Sequence, residues 1–166
     1  MFAHIAADLA MLGTCDRKRV GAVIVRDGRC VTWGYNGAPP GLPHCSENSH
    51  GWFGSREIIE FVHPGEVRPV DQTEEEQELL YQQFLHLHGC RNATHAEANA
   101  LAFAARQGIS TDGGTLYVTL SPCDVCARLT IAAGIVAVYF GEEYRDPAGR
   151  ELLEQALIPC HHISLT

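Results

Sequence analysis

Apolar and polar positions change rhythm several times along the chain, and each rhythm predicts an element. Residues 2–12 form a short amphipathic stretch at helical spacing, with Asp8 on its polar side. Residues 20–25, Val-Gly-Ala-Val-Ile-Val, are an apolar run rich in β-branched side chains, which reads as a strand. Asp27-Gly28 follows as a two-residue hairpin signal, and residues 30–35 supply the partner strand. Residues 36–41, Asn-Gly-Ala-Pro-Pro-Gly, are rich in turn formers. Farther on, the pattern predicts a helix over 94–107 closed by Gly108 and a strand over 116–120. A helix over 123–133 ended by Gly134 comes next, then a strand over 135–140, a helix over 151–156 and a short strand over 162–165. This alternation predicts a three-layer α/β domain with a partly parallel sheet, whose site lies at strand carboxyl ends where helices begin.

The middle of the chain keeps a different rhythm. Residues 46–71 carry Gly, Pro and polar residues with no sustained period, as a long surface loop or insertion does. Residues 71–88 then read as a helix, with Thr73 and three glutamates opening it and Leu80, Phe84 and Leu87 on one stripe. With no internal repeat, the whole of 1–166 reads as one domain with an insertion at about 46–89.

Composition narrows the functional classes. Twelve Lys and Arg against twenty Asp and Glu leave a net charge of −8, a poor footprint for a protein that grips a nucleic-acid backbone. No window approaches the ~18 uninterrupted apolar residues of a membrane span. The first residues lack the basic start of an export signal, so seven Cys and nine His suggest metal binding in a reducing cytoplasm rather than a disulfide framework.

The candidate chemistry lies in three fragments: His95-Ala96-Glu97, Pro122-Cys123 and Cys126. Two thiolates at C-x-x-C spacing grip one zinc from the start of a helix, a distant neutral His supplies a third ligand, and the fourth tetrahedral position stays open for water. By itself C-x-x-C also serves redox pairs and structural zinc. The upstream H-x-E adds a carboxyl that structural zinc does not need, and H-x-E with P-C-x-x-C is the signature of zinc nucleobase deaminases. Thr94 to Glu97 also fits a T-x-x-E capping box, which would set His95 and Glu97 at a helix start. Ser121-Pro122 marks a second helix start, with Pro in its first turn. Arg17-Lys18-Arg19 and Arg26 suffice for one phosphate, although a solvated turn explains them as well.

Residues 34–41 (G-Y-N-G-A-P-P-G), 95–100 (H-A-E-A-N-A) and 116–126 (L-Y-V-T-L-S-P-C-D-V-C), with Thr14-Cys15-Asp16-Arg17, resemble the deoxycytidylate deaminases of the cytidine deaminase-like superfamily. The resemblance covers the chain apart from 46–89 and the tail. It implies an α/β/α fold on a mixed five-stranded sheet and hydrolytic deamination of dCMP to dUMP and ammonia, a step in thymidylate supply. It also implies catalytic zinc on His95, Cys123 and Cys126, with Glu97 carrying protons from water to ring N3 and to the departing amine. The Ala96 N–H and the strand before Pro122, ending at Ser121, would read the pyrimidine edge, and Asn36 would hold the sugar. Arg17 and Tyr144 are candidates for the phosphate and for closing the pocket, and plain surface residues otherwise.

Relatives with a second, structural zinc place ligands near Cys15, Cys45 and Cys90, with His86 or His88 as the fourth; packed thiols and exposed imidazoles are the bland alternative. Cys160-His161-His162 lies on a strand, where neighbours face opposite ways, and Cys30 reads as a buried strand thiol. The resemblance further implies a homohexamer activated by dCTP and inhibited by dTTP, with magnesium accompanying the triphosphate. Gly34, Gly37 and Gly41 would then face the effector, and Phe103 and Arg106 a subunit interface. Rival readings are a deaminase of dCTP, or of both dCMP and dCTP, one of free cytidine, guanine or tRNA adenosine, and a noncatalytic zinc-stabilised binding protein.

Overall fold

In a computed structural model, residues 1–15, 17–42, 44, 73 and 93–164 are described. Apart from Thr73, the expected loop and helix over 46–88 lie outside them.

The elements are α1 (Phe2–Ala10), β1 (Gly21–Arg26), β2 (Arg29–Tyr35), α2 (Ala96–Gln107), β3 (Thr115–Leu120), α3 (Asp124–Ala132), β4 (Ala137–Glu142), α4 (Ala148–Gln155) and β5 (Cys160–His162). The strands form one mixed sheet in the order β2-β1-β3-β4-β5. β1 runs antiparallel to both β2 and β3, whereas β3, β4 and β5 are parallel. Asp27 (φ 52°) and Gly28 (φ 72°) both adopt left-handed backbone, the type I′ geometry that matches strand twist, so Arg26 pairs with Arg29.

The run at 20–25 is apolar throughout because β1 is covered on both faces. Val23 and Val25 pack with Ala6 of α1, and Ala22 and Ile24 point into the main core. That core joins Leu116, Val118, Val138 and Phe140 to Ala96 and Ala100 of α2, Ala127 of α3 and Leu153 of α4. Each large aliphatic or aromatic side chain here contributes about 1.5–3 kcal/mol on burial. α1 lies on one face of the sheet and α2 to α4 on the other, the three expected layers.

Several local expectations require correction. The T-x-x-E box does not form: His95, in extended backbone, is the N-cap of α2, and it makes no side-chain cap bond. Thr94 instead exchanges backbone hydrogen bonds with Gly37, at 2.8 and 3.2 Å. Pro122 precedes α3 rather than lying in its first turn, because Cys123 is the N-cap. The last strand is shifted to 160–162: it starts directly after Pro159, whose carbonyl accepts from Val138 N–H. Cys30 is exposed, not buried, because it lies on the edge strand β2 where the register slips between Ile24 and Val25. On β5, His161 stacks on Tyr139 and His162 packs on Phe140, so the two imidazoles do face opposite ways.

Candidate active site

Two helix starts meet at the carboxyl end of β3. α2 delivers His95 at its N-cap and Glu97 in its first turn, and α3 delivers Cys123 at its N-cap and Cys126 in its first turn. Gly149 of α4 fixes the second pair from behind, since a Cβ there would lie 2.0 Å from the Pro122 carbonyl oxygen. His95 Nδ1 is 3.5 Å from Cys123 Sγ and 3.4 Å from Cys126 Sγ, and all three donor atoms lie within 4.8 Å of one another. A tetrahedral ion with ~2.3 Å sulfur and ~2.1 Å nitrogen arms needs N···S separations of about 3.6 Å, so the three residues fit zinc.

Electrostatics support that donor set. The hydrogen bond from Cys126 and a second with His95 push the Cys123 thiol down to about 4, against the effect of burial. Cys126 is pushed up, first because it keeps the shared proton and then by burial. Its hydrogen bond with Cys123 raises His95, with burial opposing. Both helix N-termini favour negative charge at this point.

Glu97 is 4% exposed. Burial raises its carboxyl, with partial offsets from its own backbone N–H and the nearby His95. A buried acid with a raised pKa beside a metal site is suited to accept and return a proton near neutral pH.

His95, Glu97 and Cys123 line the wall of a cavity of about 570 Å³. Asn36, Ala96, Ser121, Arg17 and Tyr144 all line it, as does Cys15. Ala96 occupies the first helical position, where the backbone N–H has no intrahelical acceptor. The Asn36 carboxamide is engaged on both sides: Oδ1 accepts from Val20 N–H at 2.7 Å, and Nδ2 donates to the Lys18 carbonyl at 2.6 Å. Ser121 is likewise tied to the far side, its N–H donating to the Glu142 carbonyl and its Oγ accepting from Tyr144 N–H, both at 2.8 Å.

The remaining sequence candidates fall elsewhere. Cys45, His86, His88 and Cys90 lie outside the described residues. Gly34 is buried beneath α2, where a Cβ would meet the Ala96 carbonyl oxygen at 2.4 Å, so close packing rather than an effector accounts for this glycine. Gly37 spends its backbone groups on Thr94, while Gly41 is exposed with φ +88°. Phe103 and Arg106 are exposed, and Phe103 stacks on Trp33. Sequence reasoning offered Lys18 among the cations for a phosphate but missed Glu142 and the pairing of the two, which meet at the cavity at 2.6 Å although far apart in the chain.

Residues 1–142 match the family described as the cytidine and deoxycytidylate deaminase zinc-binding region. The chain belongs to that family. Among the relatives of this chain is the deoxycytidylate deaminase of Enterobacteria phage T4, 33% identical over 96% of this chain and 86% of the relative. ComE operon protein 2 of Bacillus subtilis is 34% identical over 95% of this chain, which spans 66% of that protein's length. A solved dCMP deaminase of cyanophage S-TIM5, in complex with dCMP and dUMP, aligns over 98% of this chain and 93% of its own, with 25% identity and a TM-score of 0.69.

Proposed function

We propose that the protein hydrolyses dCMP to dUMP and ammonia. The observation that carries this reading is the buried Glu97 carboxyl beside the His95, Cys123 and Cys126 donor set, at the inner end of a cavity whose volume suits a nucleotide. Family membership and the relatives' names support it. Zinc on the three donors supplies Lewis-acid activation of water near neutral pH. Glu97 takes the water's proton and delivers it to ring N3 as the oxygen adds to C4, then takes the proton of the new C4 hydroxyl and passes it to the amine, which leaves as ammonia while the C4 carbonyl forms. The Ala96 N–H and the Ser121 end of β3 meet the pyrimidine, Asn36 orients the sugar with the donor and acceptor capacity left to its amide, Tyr144 closes the pocket, and Arg17 approaches the phosphate.

The finer reading is a cytoplasmic, regulated homo-oligomer, a hexamer by family resemblance, that dCTP with magnesium activates and dTTP inhibits. Its support in this chain is the stack of exposed Trp33 and Phe103 with half-buried Tyr35 beside the turn that reaches Gly41. Among the described residues no helix is long and apolar enough to cross a membrane.

The test is ammonia release from dCMP, dCTP and deoxycytidine on protein of measured zinc content, with dCTP and dTTP as effectors. Turnover preferring dCMP is expected, and two zinc ions per chain would report the additional site at Cys15, Cys45, Cys90 and His86 or His88. A preference for dCTP would transfer the chemistry to the triphosphate. No turnover at full zinc occupancy would leave a noncatalytic zinc-stabilised protein.

A further inference from the structure

The mouth of the cavity is bounded by two backbone segments, each anchored from the buried side. Asn36 holds the Lys18–Val20 segment through both ends of its carboxamide, and Ser121 holds the Glu142–Tyr144 segment through its N–H and Oγ. Across the gap Lys18 Nζ meets Glu142 Oε2 at 2.6 Å, and both residues line the cavity.

The other acids at this mouth are turned toward partners of their own. Glu143 pairs with Arg150 at 3.4 Å and Asp124 with Arg128 at 2.9 Å, while Asp146 accepts from the Ala148 N–H at 3.0 Å. Glu142 differs from them in having a cavity-lining cation as its partner. Its carboxylate therefore marks a position where an anion fits against a held ammonium. The two side chains are 48% and 60% exposed, so water screens the pair and a stronger anion can displace the carboxylate. A phosphate monoester carries nearly two charges and three acceptor oxygens, and outcompetes one carboxylate for a lysine.

We propose that Lys18 determines specificity for the substrate's 5′-phosphate, and that Glu142 is its resident counterion, displaced when a nucleotide enters. The inference rests on the dCMP reading above and deepens it. Glu142 makes an empty site pay for phosphate selectivity: a nucleoside leaves the pair closed, whereas a nucleotide exchanges one anion for another.

The experiment compares kcat and KM for dCMP and deoxycytidine in the zinc-loaded wild type, Lys18→Met, Lys18→Arg and Glu142→Gln. Inhibition by dUMP and deoxyuridine gives the same comparison independently of nucleoside turnover. Lys18→Met should raise KM for dCMP about tenfold, the scale of one charged hydrogen bond, with the change in KM rather than kcat. The dCMP to deoxycytidine ratio of kcat/KM should fall with it, and Lys18→Arg should restore most of the loss. Glu142→Gln should lower KM for dCMP about two- to fivefold by removing the competitor. An unchanged dCMP to deoxycytidine ratio in Lys18→Met, or a higher KM in Glu142→Gln, would overturn the inference while the deaminase reading stands. A zinc-loaded wild type without dCMP turnover would overturn both.

Discussion

At the inner wall of the cavity, His95 and Glu97 are two residues apart, and Cys123 and Cys126 are three apart, so local spacing on two helix starts prescribes their placement. At the rim, Lys18 and Glu142 are separated by 124 positions and meet because β1, β3 and β4 lie side by side in the sheet. Chemistry that must be geometrically strict is written in short motifs, whereas the part that selects a substrate is assembled by topology. In the wall Glu97 and Cys126 are buried, Cys123 is half-buried and His95 is exposed. The rim remains exposed and exchangeable.

The sharpest test of the wall is Glu97→Gln, which keeps the shape and removes the proton carrier. Deamination of dCMP should fall by roughly 10²–10⁴ in kcat while metal analysis still finds zinc, the range for a positioned general acid–base group. Near-normal turnover would show that the wall's carboxyl is dispensable.

Metal binding at the wall should also respond to pH. Zinc binding requires a neutral His95 and two thiolates. Cys123, pushed down to about 4, is already ionised near neutrality, but His95 and Cys126 are both raised and hold protons that the metal must displace. Affinity therefore falls as pH falls. Competition with a chromophoric chelator should show a loss of roughly tenfold or more per pH unit on the acid side of neutrality, about one decade for each displaced proton. A pH-independent affinity would contradict this proton count.

Much of the wall was legible in the sequence for a physical reason. C-x-x-C places two sulfurs on one turn, and H-x-E sets a ligand and an acid on another, whatever the rest of the chain does. The β1–β2 hairpin was equally legible, because Asp27-Gly28 dictates its turn and register. Glu97 shows where local reading overreached: as a capping residue it would face the helix end, yet the structure buries it in the cavity and leaves the cap to His95. Gly34 was expected, by resemblance, to face an effector; the structure shows what requires a glycine there, the close seat of α2 on β2, a contact between residues far apart in sequence. The engagement of Asn36 with Lys18 and Val20 was hidden in the same way, because no spacing rule brings a side chain back across a hairpin.

Two smaller effects would refine the contrast. Asn36→Ala orphans the Val20 N–H and the Lys18 carbonyl, and should destabilise the fold by about 1–3 kcal/mol for each group left unpaired in the interior. Urea unfolding measures this, and an unchanged midpoint would deny Asn36 its anchoring role. Lys18→Met should shift the same midpoint by less than about 1 kcal/mol, since exposed ion pairs add little to stability. A larger loss would make the rim pair part of the fold's framework.

Trp33 lies stacked between Tyr35 and Phe103, with ring centroids 6.2 and 6.3 Å away. Phe103 is on α2, two turns beyond His95 and Glu97. The indole is thus a built-in optical gauge of how the catalytic helix sits on its strand. With Trp52 replaced by Phe, a single emission band would follow the seating of α2 as zinc and nucleotide are added, without any label attached to the protein.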